Sequence, residues 1–345
     1  MGSVKDLIIE KEPTETELGV GVFAFSDRYS IFDWGEMPDL IPGKGDVLAT
    51  LGAYNFELLE RNGLETHYRG LVEDGGLVGF DNVNNPVNKM SIDLAYKPLV
   101  ERREKKYHYE ELTGKDNFLI PLEIVFRNYV PVGSSIRRRY EPRDIGLDYP
   151  EWPEQEIKLE QPIVEFSTKL ESQDRYLSEE EAYGISGLSE GKFEELGEIA
   201  TEVNRHLTDY ARKRNFKHLD GKIECIYNRG KIAVADVAGT FDENRFSYLG
   251  TQISKEVLRQ WYKKKDPTWY EEVVSAKKGS RGDNSDDWTR YVSEKPRSID
   301  PELKELIAEM YKAGANKWMG KSVFDAEDLS KVVEELDTWK MKENL

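Results

Sequence analysis

The sequence predicts an α+β fold with antiparallel sheets, built as two lobes with a helical extension after the second lobe. Alternating apolar runs joined by short turns predict β-hairpins, and hairpins make antiparallel sheets because a parallel connection needs a long crossover. Several segments with apolar residues at spacings of three and four predict amphipathic helices. At 345 residues the chain is long enough to bury a sizeable core in each lobe.

The first lobe is predicted to span residues 1–115. Its first two apolar runs, Val4–Glu10 and Gly19–Asp27, are separated by a polar stretch and predict a hairpin. Val47–Asn62 has helical spacing and is followed by glycine, so we expect a helix that packs under the sheet. Gly70–Lys89 is first glycine-rich and then dense in turn formers, and it is predicted to form surface connections.

The second lobe is predicted to span residues 116–270 and to open with an anion site. Leu119–Arg127 is apolar and β-branched, so we expect a buried strand that ends near its arginine. A Pro/Gly turn follows, and then Ser134 and Ser135 are expected to open a helix whose N–H groups and hydroxyls suit a phosphate. The guanidiniums of Arg137–Arg139 would add bidentate charge. A capped surface helix with a solvated basic face explains the same residues and is the commoner case.

A hairpin later in this lobe carries a pair of carboxylates. The irregular segment Glu141–Pro162 and the long amphipathic helix Glu190–Asn215 precede it. Ile223–Asp236 then forms two alternating strands around an Asn-Arg-Gly turn, which places Glu224 and Asp236 near the same end of the ladder. Two converging carboxylates suit Mg²⁺, which takes one or two carboxylates plus nucleotide phosphates. Two solvated edge-strand acids are the alternative.

The remaining segments are predicted to be helical, with one loop between them. Ser254–Lys265 is expected to be a helix that ends at Asp-Pro. In the extension, residues 271–345, Lys277–Asp287 is predicted to be a flexible loop, while Pro301–Ala313 and Asp325–Trp339 are expected to be helices capped by aspartates. Their apolar faces must dock on something, and we expect a structural cover or interface with no catalytic role.

Composition narrows the class of protein. The chain has 66 acidic and 49 basic residues and a net charge of −17, so we expect no nucleic-acid partner. The single Cys225 excludes internal disulfides and fits a reducing cytosol. No apolar run approaches the roughly 20 residues that span a bilayer, and the first residues are too charged for a signal peptide. We therefore expect a cytoplasmic protein with no membrane partner.

Four polar clusters are candidates for a site, and each also has an ordinary structural explanation. The anion site and the carboxylate pair, followed by Arg245, are two of them. In the third, acids, a serine and an arginine beside a glycine-flanked lysine suit substrate recognition, but paired surface charges at a turn look alike. In the fourth, a lysine after a Ser-Thr pair suits nucleotide phosphates, although exposed loop lysines are commoner. The third cluster consists of Ser26, Asp27, Arg28, Ser30, Asp33 and Lys44. The fourth consists of Ser167, Thr168, Lys169, Asp174 and Arg175.

Taken together and in this order, the clusters resemble the SAICAR synthetase family, the phosphoribosylaminoimidazole-succinocarboxamide synthases. The resemblance covers about residues 1–262. The segments that carry it are GSVKDL (2–7), SDRYSIFD (26–33), IPGKG (41–45), PLEIVFRNYVPVGSS (121–135), STK (167–169), LDGKIE (219–224), ADV (235–237) and NRF (244–246).

The resemblance implies an ATP cleft between the two lobes. It also implies a reaction, the ATP-dependent ligation of L-aspartate to carboxyaminoimidazole ribonucleotide (CAIR), which gives SAICAR, ADP and phosphate in purine biosynthesis. Implied catalytic residues are Asp236, Glu224 and Lys169; the two carboxylates would bind Mg²⁺, and Lys5 would join all three in binding ATP. The implied substrate-binding residues are Asp27, Arg28, Ser30, Asp33, Lys44, Arg127, Ser134, Ser135 and Arg245.

The sequence departs from the family pattern at three places. Ser3 replaces a lysine, Val237 replaces an acid, and the turn after the anion-site strand is one residue longer, so Ser134 and Ser135 are both eligible phosphate ligands. A paralogue that joins a different amine or carboxylate is therefore an alternative. A non-catalytic nucleotide-binding protein is a third hypothesis, although it would be expected to have lost a carboxylate or arginine of the site. Amine selectivity, homo-oligomer formation and the role of the extension stay open.

Overall fold

The computed structural model describes residues 4–83, 85–104, 106–280 and 287–345. A five-stranded antiparallel sheet forms the first part of the chain. Its strands are β1 (Lys5–Lys11), β2 (Gly19–Phe25), β3 (Tyr68–Glu73), β4 (Gly76–Val78) and β5 (Lys89–Leu94). They lie in the order β1-β2-β5-β3-β4. The predicted first hairpin is confirmed, whereas the predicted surface connection Gly70–Lys89 is wrong in part, because β3 pairs with β5 and buries Leu71.

One helix, α1 (Lys44–Arg61), packs against this sheet. It begins three residues before the predicted start, after Gly43 in the left-handed conformation, and Asn62 follows its last residue. Most of its buried residues are apolar, with Val47 and Phe56 fully enclosed. A small hairpin of β6 (Val100–Arg103) and β7 (Lys106–Tyr109) then precedes the second sheet.

The second sheet has eight strands, and its strands carry Glu123, Arg127, Asp220, Lys222, Glu224 and Arg245 of the candidate site. The strands are β8 (Asn117–Leu119), β9 (Leu122–Val130), β10 (Ile157–Thr168), β11 (Tyr176–Leu177), β12 (Phe216–Asn228), β13 (Lys231–Ala235), β14 (Asn244–Tyr248) and β15 (Thr251–Ile253). Their order is β11-β10-β9-β12-β14-β15, and β8 and β13 also pair with β12. The predicted hairpin around Asn228 is confirmed, with Glu224 opposite Ala235.

Two predicted boundaries in this sheet are wrong. Strand β9 continues three residues past Arg127, because its last residue, Val130, pairs with Ile157. For the same reason the segment expected to be irregular up to Pro162 becomes strand β10 at Ile157. After β9 the expected helix is a single 3₁₀ turn, Ser135–Arg138.

The other helices cover the second sheet and bind the C-terminal segment to it. They are α2 (Glu179–Ser186), α3 (Glu190–Lys213), α4 (Glu256–Lys265), α5 (Pro267–Ser280), α6 (Pro301–Met319) and α7 (Leu329–Glu343). The predicted long helix is α3, which packs on β9, β10 and β12 through a stripe that includes Leu196, Val203 and Leu207. No helix in the described ranges is long and apolar enough to cross a bilayer.

The C-terminal segment differs from its prediction in one loop and two boundaries. Residues Lys277–Ser280 belong to α5, so the predicted loop is wrong there, and 281–286 lie outside the described residues. Helix α6 extends six residues past Ala313, and α7 starts later than predicted, after Asp328, whose carboxylate accepts a hydrogen bond from the Ser330 N–H (2.9 Å). Helix α6 packs against α1 and β15, so the apolar face finds its partner within this chain.

Candidate active site

Three neighbouring strands align two arginines on one aspartate. In the strand register Asp220 of β12 lies opposite Arg127 of β9 on one side and Arg245 of β14 on the other. Arg127 Nη1 donates to Asp220 Oδ2 (3.1 Å), and Arg245 Nε donates to Asp220 Oδ1 (2.7 Å). Because Asp220 is buried between them, both guanidiniums are held at one edge of a cleft.

Arg127 has further partners that fix its orientation. Its Nε donates to Glu165 Oε2 (2.6 Å), and its Nη2 donates to the Tyr176 hydroxyl (2.9 Å) and to Ser135 Oγ (3.4 Å). Ser135 lines the cleft. Ser134 is 2% exposed, and its hydroxyl caps the 3₁₀ turn by accepting from the Ile136 N–H. Of the two serines the structure therefore turns Ser135 toward the site.

The arginine triplet does not act as one cationic face. Arg137 donates to the backbone carbonyls of Val130 (3.1 Å) and Gln155 (2.6 Å). Arg139 pairs with Glu165 (2.7 Å), and its guanidinium lies 3.5 Å from the centre of the Tyr176 ring. The expectation that these two arginines add charge to an anion site is therefore wrong, because the chain uses both to hold its own backbone and side chains. Arg138 does line the cleft.

The cleft has a volume of about 710 Å³ and lies against one face of the second sheet. Its wall alternates acids and bases, which suits a ligand that carries both phosphate and hydrogen-bond donors. Charged residues that line it include Asp33, Glu123, Arg127, Arg138, Asp174, Asp220, Lys222, Asp242, Glu243, Arg245, Lys255, Glu256, Arg259, Lys263, Lys277 and Lys278.

The carboxylate pair of the hairpin lies beside this cleft and is enclosed by two lysines. Lys169 Nζ lies 2.5 Å from Glu224 Oε1, and Lys5 Nζ lies 2.7 Å from Asp236 Oδ1. Lys169 also contacts Glu123 (3.3 Å), which lines the cleft, so the two parts of the site share a residue. Asp236 has a left-handed φ of 61°, a conformation that non-glycine residues adopt at a cost and mostly at functional positions.

The two carboxylates differ in proton affinity. Burial and the neighbouring charge of Asp236 raise the pKa of Glu224 to about 7, although Lys169 opposes that shift. Burial also acts to raise the pKa of Asp236, but the charges of Lys5 and Lys169 outweigh it and hold that pKa below its usual range. An added cation beside the pair would favour the ionised form of both.

This pair fits a Mg²⁺ ion that is completed by a substrate. Glu224 Oε1 and Glu243 Oε2 are buried and accept no hydrogen bond from any described residue, although each has an ionic contact with a lysine. Within the described ranges no group of three His, Cys, Asp or Glu residues forms a closed metal site. Mg²⁺ needs no such group, because it is commonly held by one or two carboxylates and substrate phosphates.

The segment Ser26–Asp33 makes most of its hydrogen bonds to other residues of the predicted first lobe. Asp27 Oδ1 accepts the Gly45 N–H (3.0 Å), and Arg28 donates to Asp6 (2.9 Å). Ser30 is partly buried. Asp33 lines the cleft and pairs with Lys277 of α5 (2.5 Å). Of these predicted substrate residues the structure brings only Asp33 into the cleft wall.

Lys44 is placed inside the protein. Its side chain is 0% exposed, and its Nζ donates to Asp242 Oδ2 (2.7 Å) and to the Arg28 carbonyl (3.3 Å). Asp242 lines the cleft, whereas Lys44 is absent from its lining. In this arrangement Lys44 reaches the site through the aspartate that it holds.

Several charged residues of the site were missed by reasoning from sequence alone. Lys222 contacts Glu123 (2.6 Å) and Glu243 (3.3 Å), which links three strands or loops across the cleft. The sequence does carry a signal for Lys222 and Glu123, since alternate residues of a strand share a face. Asp220, Lys222 and Glu224 alternate along β12, as Glu123 and Arg127 do along β9. Glu243 follows no regular pattern and could not be found this way.

Comparison with known proteins gives one family. The sequence model of the family described as SAICAR synthetase matches residues 11–276. An Archaeoglobus fulgidus protein named "Putative phosphoribosylaminoimidazole-succinocarboxamide synthase" is 44% identical over 97% of this chain and 98% of its own length. The phosphoribosylaminoimidazole-succinocarboxamide synthase of Thermoplasma volcanium is 34% identical over 70% of this chain and 77% of its own length.

Solved structures show the same fold. A SAICAR synthetase in complex with ADP is 25% identical and has a TM-score of 0.54, covering 86% of this chain and 99% of that chain. The SAICAR synthase of Saccharomyces cerevisiae complexed with SAICAR has a TM-score of 0.61 over 93% of this chain and 94% of that chain. It is 21% identical, so the likeness bears on the fold alone.

Proposed function

The chain belongs to the SAICAR synthetase family, and we propose the way in which its own residues carry out that family's reaction. The reaction joins L-aspartate to CAIR with ATP, and it gives SAICAR, ADP and phosphate in purine biosynthesis. The observation that carries the proposal is that Glu123 lines the same cleft as Arg127, Asp220 and Arg245, and that Lys169 contacts both Glu123 and Glu224 of the carboxylate pair.

The 5′-phosphate of CAIR is assigned to the arginine edge of the cleft. Arg127 and Arg245 are held by Asp220, and Ser135 adds a hydroxyl on the same side. Charge-assisted hydrogen bonds of this kind are shorter and stronger than neutral ones. A phosphate that binds there leaves the imidazole carboxylate free to extend along the cleft toward Glu123 and Lys222.

The ATP phosphates are assigned to the lysine–carboxylate cluster. Lys5 and Lys169 place two ammonium groups at Asp236 and Glu224, and both lysines keep donors for phosphate oxygens. Glu224 and Asp236 would hold Mg²⁺, whose chemistry when bound is to neutralise phosphate charge and orient the transferred group. Phosphoryl transfer of this kind depends on position and charge rather than on a covalent protein group.

In the two chemical steps the cleft serves mainly to hold the reacting groups of CAIR, ATP and L-aspartate next to one another. A carboxylate oxygen of CAIR attacks the γ-phosphorus and ADP leaves, which gives an acyl phosphate. The amine of L-aspartate then attacks the acyl carbon, phosphate leaves with the oxygen to which it is bonded, and the amine gives up its proton. The basic residues Arg259, Lys263 and Lys278 also line the cleft, and they are assigned to the two carboxylates of the amino acid.

The proposal has three wider parts. Residues 1–115 and 116–270 form two lobes with the ATP cleft between them, and residues 271–345 form a helical extension. A cytoplasmic location fits an enzyme that uses ATP and free nucleotides. Sedimentation of the purified protein measures whether the chain forms a homo-oligomer.

An ADP-release assay with CAIR and a panel of amino acids tests the function. We expect ADP formation that needs both CAIR and L-aspartate, with L-glutamate, L-asparagine and L-alanine at least about a hundredfold slower in kcat/KM, since unpaired charges in a site discriminate strongly. Asp236→Asn is the matched inactive control. Faster turnover with another amine would favour the paralogue, and ADP binding without any turnover would favour a non-catalytic nucleotide-binding protein.

A further inference from the structure

Asp242 is a cleft residue whose two carboxylate oxygens are both held by partners from other parts of the chain. Its Oδ2 accepts from Lys44 Nζ (2.7 Å), and its Oδ1 accepts from the hydroxyl of Tyr311 (2.6 Å). Lys44 comes from the start of α1, whereas Tyr311 comes from α6 in the C-terminal extension. With one partner on each oxygen, the plane of the carboxylate is fixed.

The environment of Tyr311 leaves its hydroxyl little freedom. The residue is 0% exposed, and its ring meets Phe241 edge to face with centroids 6.0 Å apart. Lys44 Nζ lies 5.6 Å from the centre of the same ring. Gly314, one turn further along α6, lies so close to Phe241 that an added Cβ would stand 3.0 Å from that ring. Helix α6 is thus fitted against residues 241 and 242.

These residues belong to the segment 236–245 that carries much of the site. It starts at Asp236, passes through Asp242 and Glu243, and ends at Arg245 on β14. Helix α6 holds it at a second point as well, because Trp318 donates to Asn55 Oδ1 (2.8 Å), and Asn55 donates to the Ala238 carbonyl (3.0 Å). A change in how α6 sits would therefore move groups assigned to both substrates.

We propose that Tyr311 is a positioning residue of the active site, whose hydroxyl aims the Asp242 carboxylate into the cleft so that it accepts hydrogen bonds from the nucleotide substrate. The inference rests on the proposed function for its ligand. It replaces the expectation that the extension is only a structural cover. Asp242 is the group that faces the substrate, and Tyr311 acts through it.

Tyr311→Phe tests the proposal, because it removes the hydroxyl and keeps the ring. We expect kcat/KM for CAIR to fall at least about tenfold, which corresponds to about 1.4 kcal/mol, while the KM for ATP stays unchanged. Tyr54→Phe is the matched control, since it also removes a hydroxyl that is hydrogen-bonded inside the fold, in this case to the hydroxyl of Tyr210, and Tyr54 does not line the cleft. Equal kinetics in both variants, with only the melting temperature lowered, would overturn the proposal.

A double-mutant cycle separates positioning from general loosening. If Tyr311 acts through Asp242, the variant that combines Tyr311→Phe with Asp242→Asn should be no slower than Asp242→Asn alone. Independent, additive losses would contradict the assigned route.

Hydrogen exchange provides a readout that needs no turnover. Amides of residues 238–245 should exchange faster in Tyr311→Phe than in wild type and in Tyr54→Phe, and unchanged exchange would overturn the positioning role. A wild-type enzyme inactive with CAIR, together with faster exchange in Tyr311→Phe, would overturn the proposed function and leave the positioning role of Tyr311 supported.

Discussion

Single side chains in the cleft serve several charged partners at once. Asp220 holds two arginines, and Arg127 in turn holds both Asp220 and Glu165. Such sharing fixes the side chains before a ligand arrives, so less conformational freedom is lost on binding. It also means that a substitution at one residue changes the charge balance of its neighbours.

Arg127→Lys should weaken CAIR binding with little effect on ATP. The lysine keeps the charge next to Asp220 but loses the fork that can hold a phosphate and Glu165 together. We expect the KM for CAIR to rise at least tenfold, consistent with a loss of roughly 1.5 to 3 kcal/mol for a hydrogen bond to a charged group. Arg137→Lys is the control, because that side chain bonds to backbone carbonyls. A rise in the KM for ATP instead would show that the two subsites are exchanged.

His218 should make the protein sensitive to acid. Burial lowers its pKa to about 4, although hydrogen bonding to Asn244 opposes this, so the folded protein keeps the ring neutral while the unfolded chain protonates it near pH 6.5. The neutral ring therefore contributes fully to the free energy of unfolding above pH 6.5. That contribution, up to about 3 kcal/mol, is lost as the pH falls toward 4.

Melting temperature against pH measures this effect. His218→Gln should flatten the decline between pH 6.5 and 4.5, whereas His108→Gln, at an exposed position, should leave it as in wild type. Parallel curves for all three proteins would refute the assignment.

At the scale of elements, the hairpin of β12 and β13 determines where the carboxylate pair lies. The Asn-Arg-Gly turn and the alternation of its strands made this hairpin predictable, and with it the proximity of Glu224 and Asp236. The family resemblance placed Lys5 and Lys169 with the pair, but local pattern alone could not, because the two lysines lie far from the hairpin in the sequence and the pairing order of the strands is not readable from it. The same limit explains why Glu243 was missed, whereas Glu123 shares a face of β9 with Arg127 and could have been found from strand alternation.

Asp236→Asn and Glu224→Gln should each abolish turnover while the fold persists. Each removes a negative charge without changing shape, and Mg²⁺ sites require that charge. We expect kcat to fall at least about a hundredfold, since electrostatic groups at a reacting centre contribute on that order. The melting temperature of Glu224→Gln should hold or rise, because burial and the charge of Asp236 disfavour the ionised form of Glu224. That of Asp236→Asn should fall, because the change removes the partner of Lys5.

Asp93→Asn serves as the control for this pair, since its carboxylate bonds to Arg69 at the surface of the first sheet. If either hairpin variant turned over at a near-wild-type rate at saturating ATP and Mg²⁺, the substituted carboxylate would not be a ligand of the catalytic Mg²⁺. Direct measurement of Mg²⁺-dependent ADP binding then shows whether the nucleotide is still held.

At the scale of the whole molecule, the C-terminal segment belongs to the core. Its helices were predictable from apolar spacing, and so was the need for them to dock. Where they dock was not predictable, since nothing in the segment 301–343 identifies α1 or the loop before β14 as its partner. Trp318 and Tyr311 are both fully buried in that docking.

Removal of residues 287–345 should therefore unfold or strongly destabilise the protein. It exposes the faces of α1 and β15 and leaves Asp242 with one partner fewer, so we expect a fall in melting temperature of more than about 10 °C and loss of ligase activity. Calorimetry and ADP release on the purified truncation measure both. A truncation that melts and turns over like wild type would show that the segment is dispensable.

The central claim is that ATP activates the carboxylate of CAIR before the amine of L-aspartate attacks it. CAIR labelled with ¹⁸O in both carboxylate oxygens tests this directly, by mass spectrometry of the released phosphate and of the SAICAR formed. We predict one ¹⁸O atom in each phosphate and one in the new amide, because the phosphate leaves with the oxygen through which it was bonded. Phosphate free of ¹⁸O during measured turnover would contradict the account.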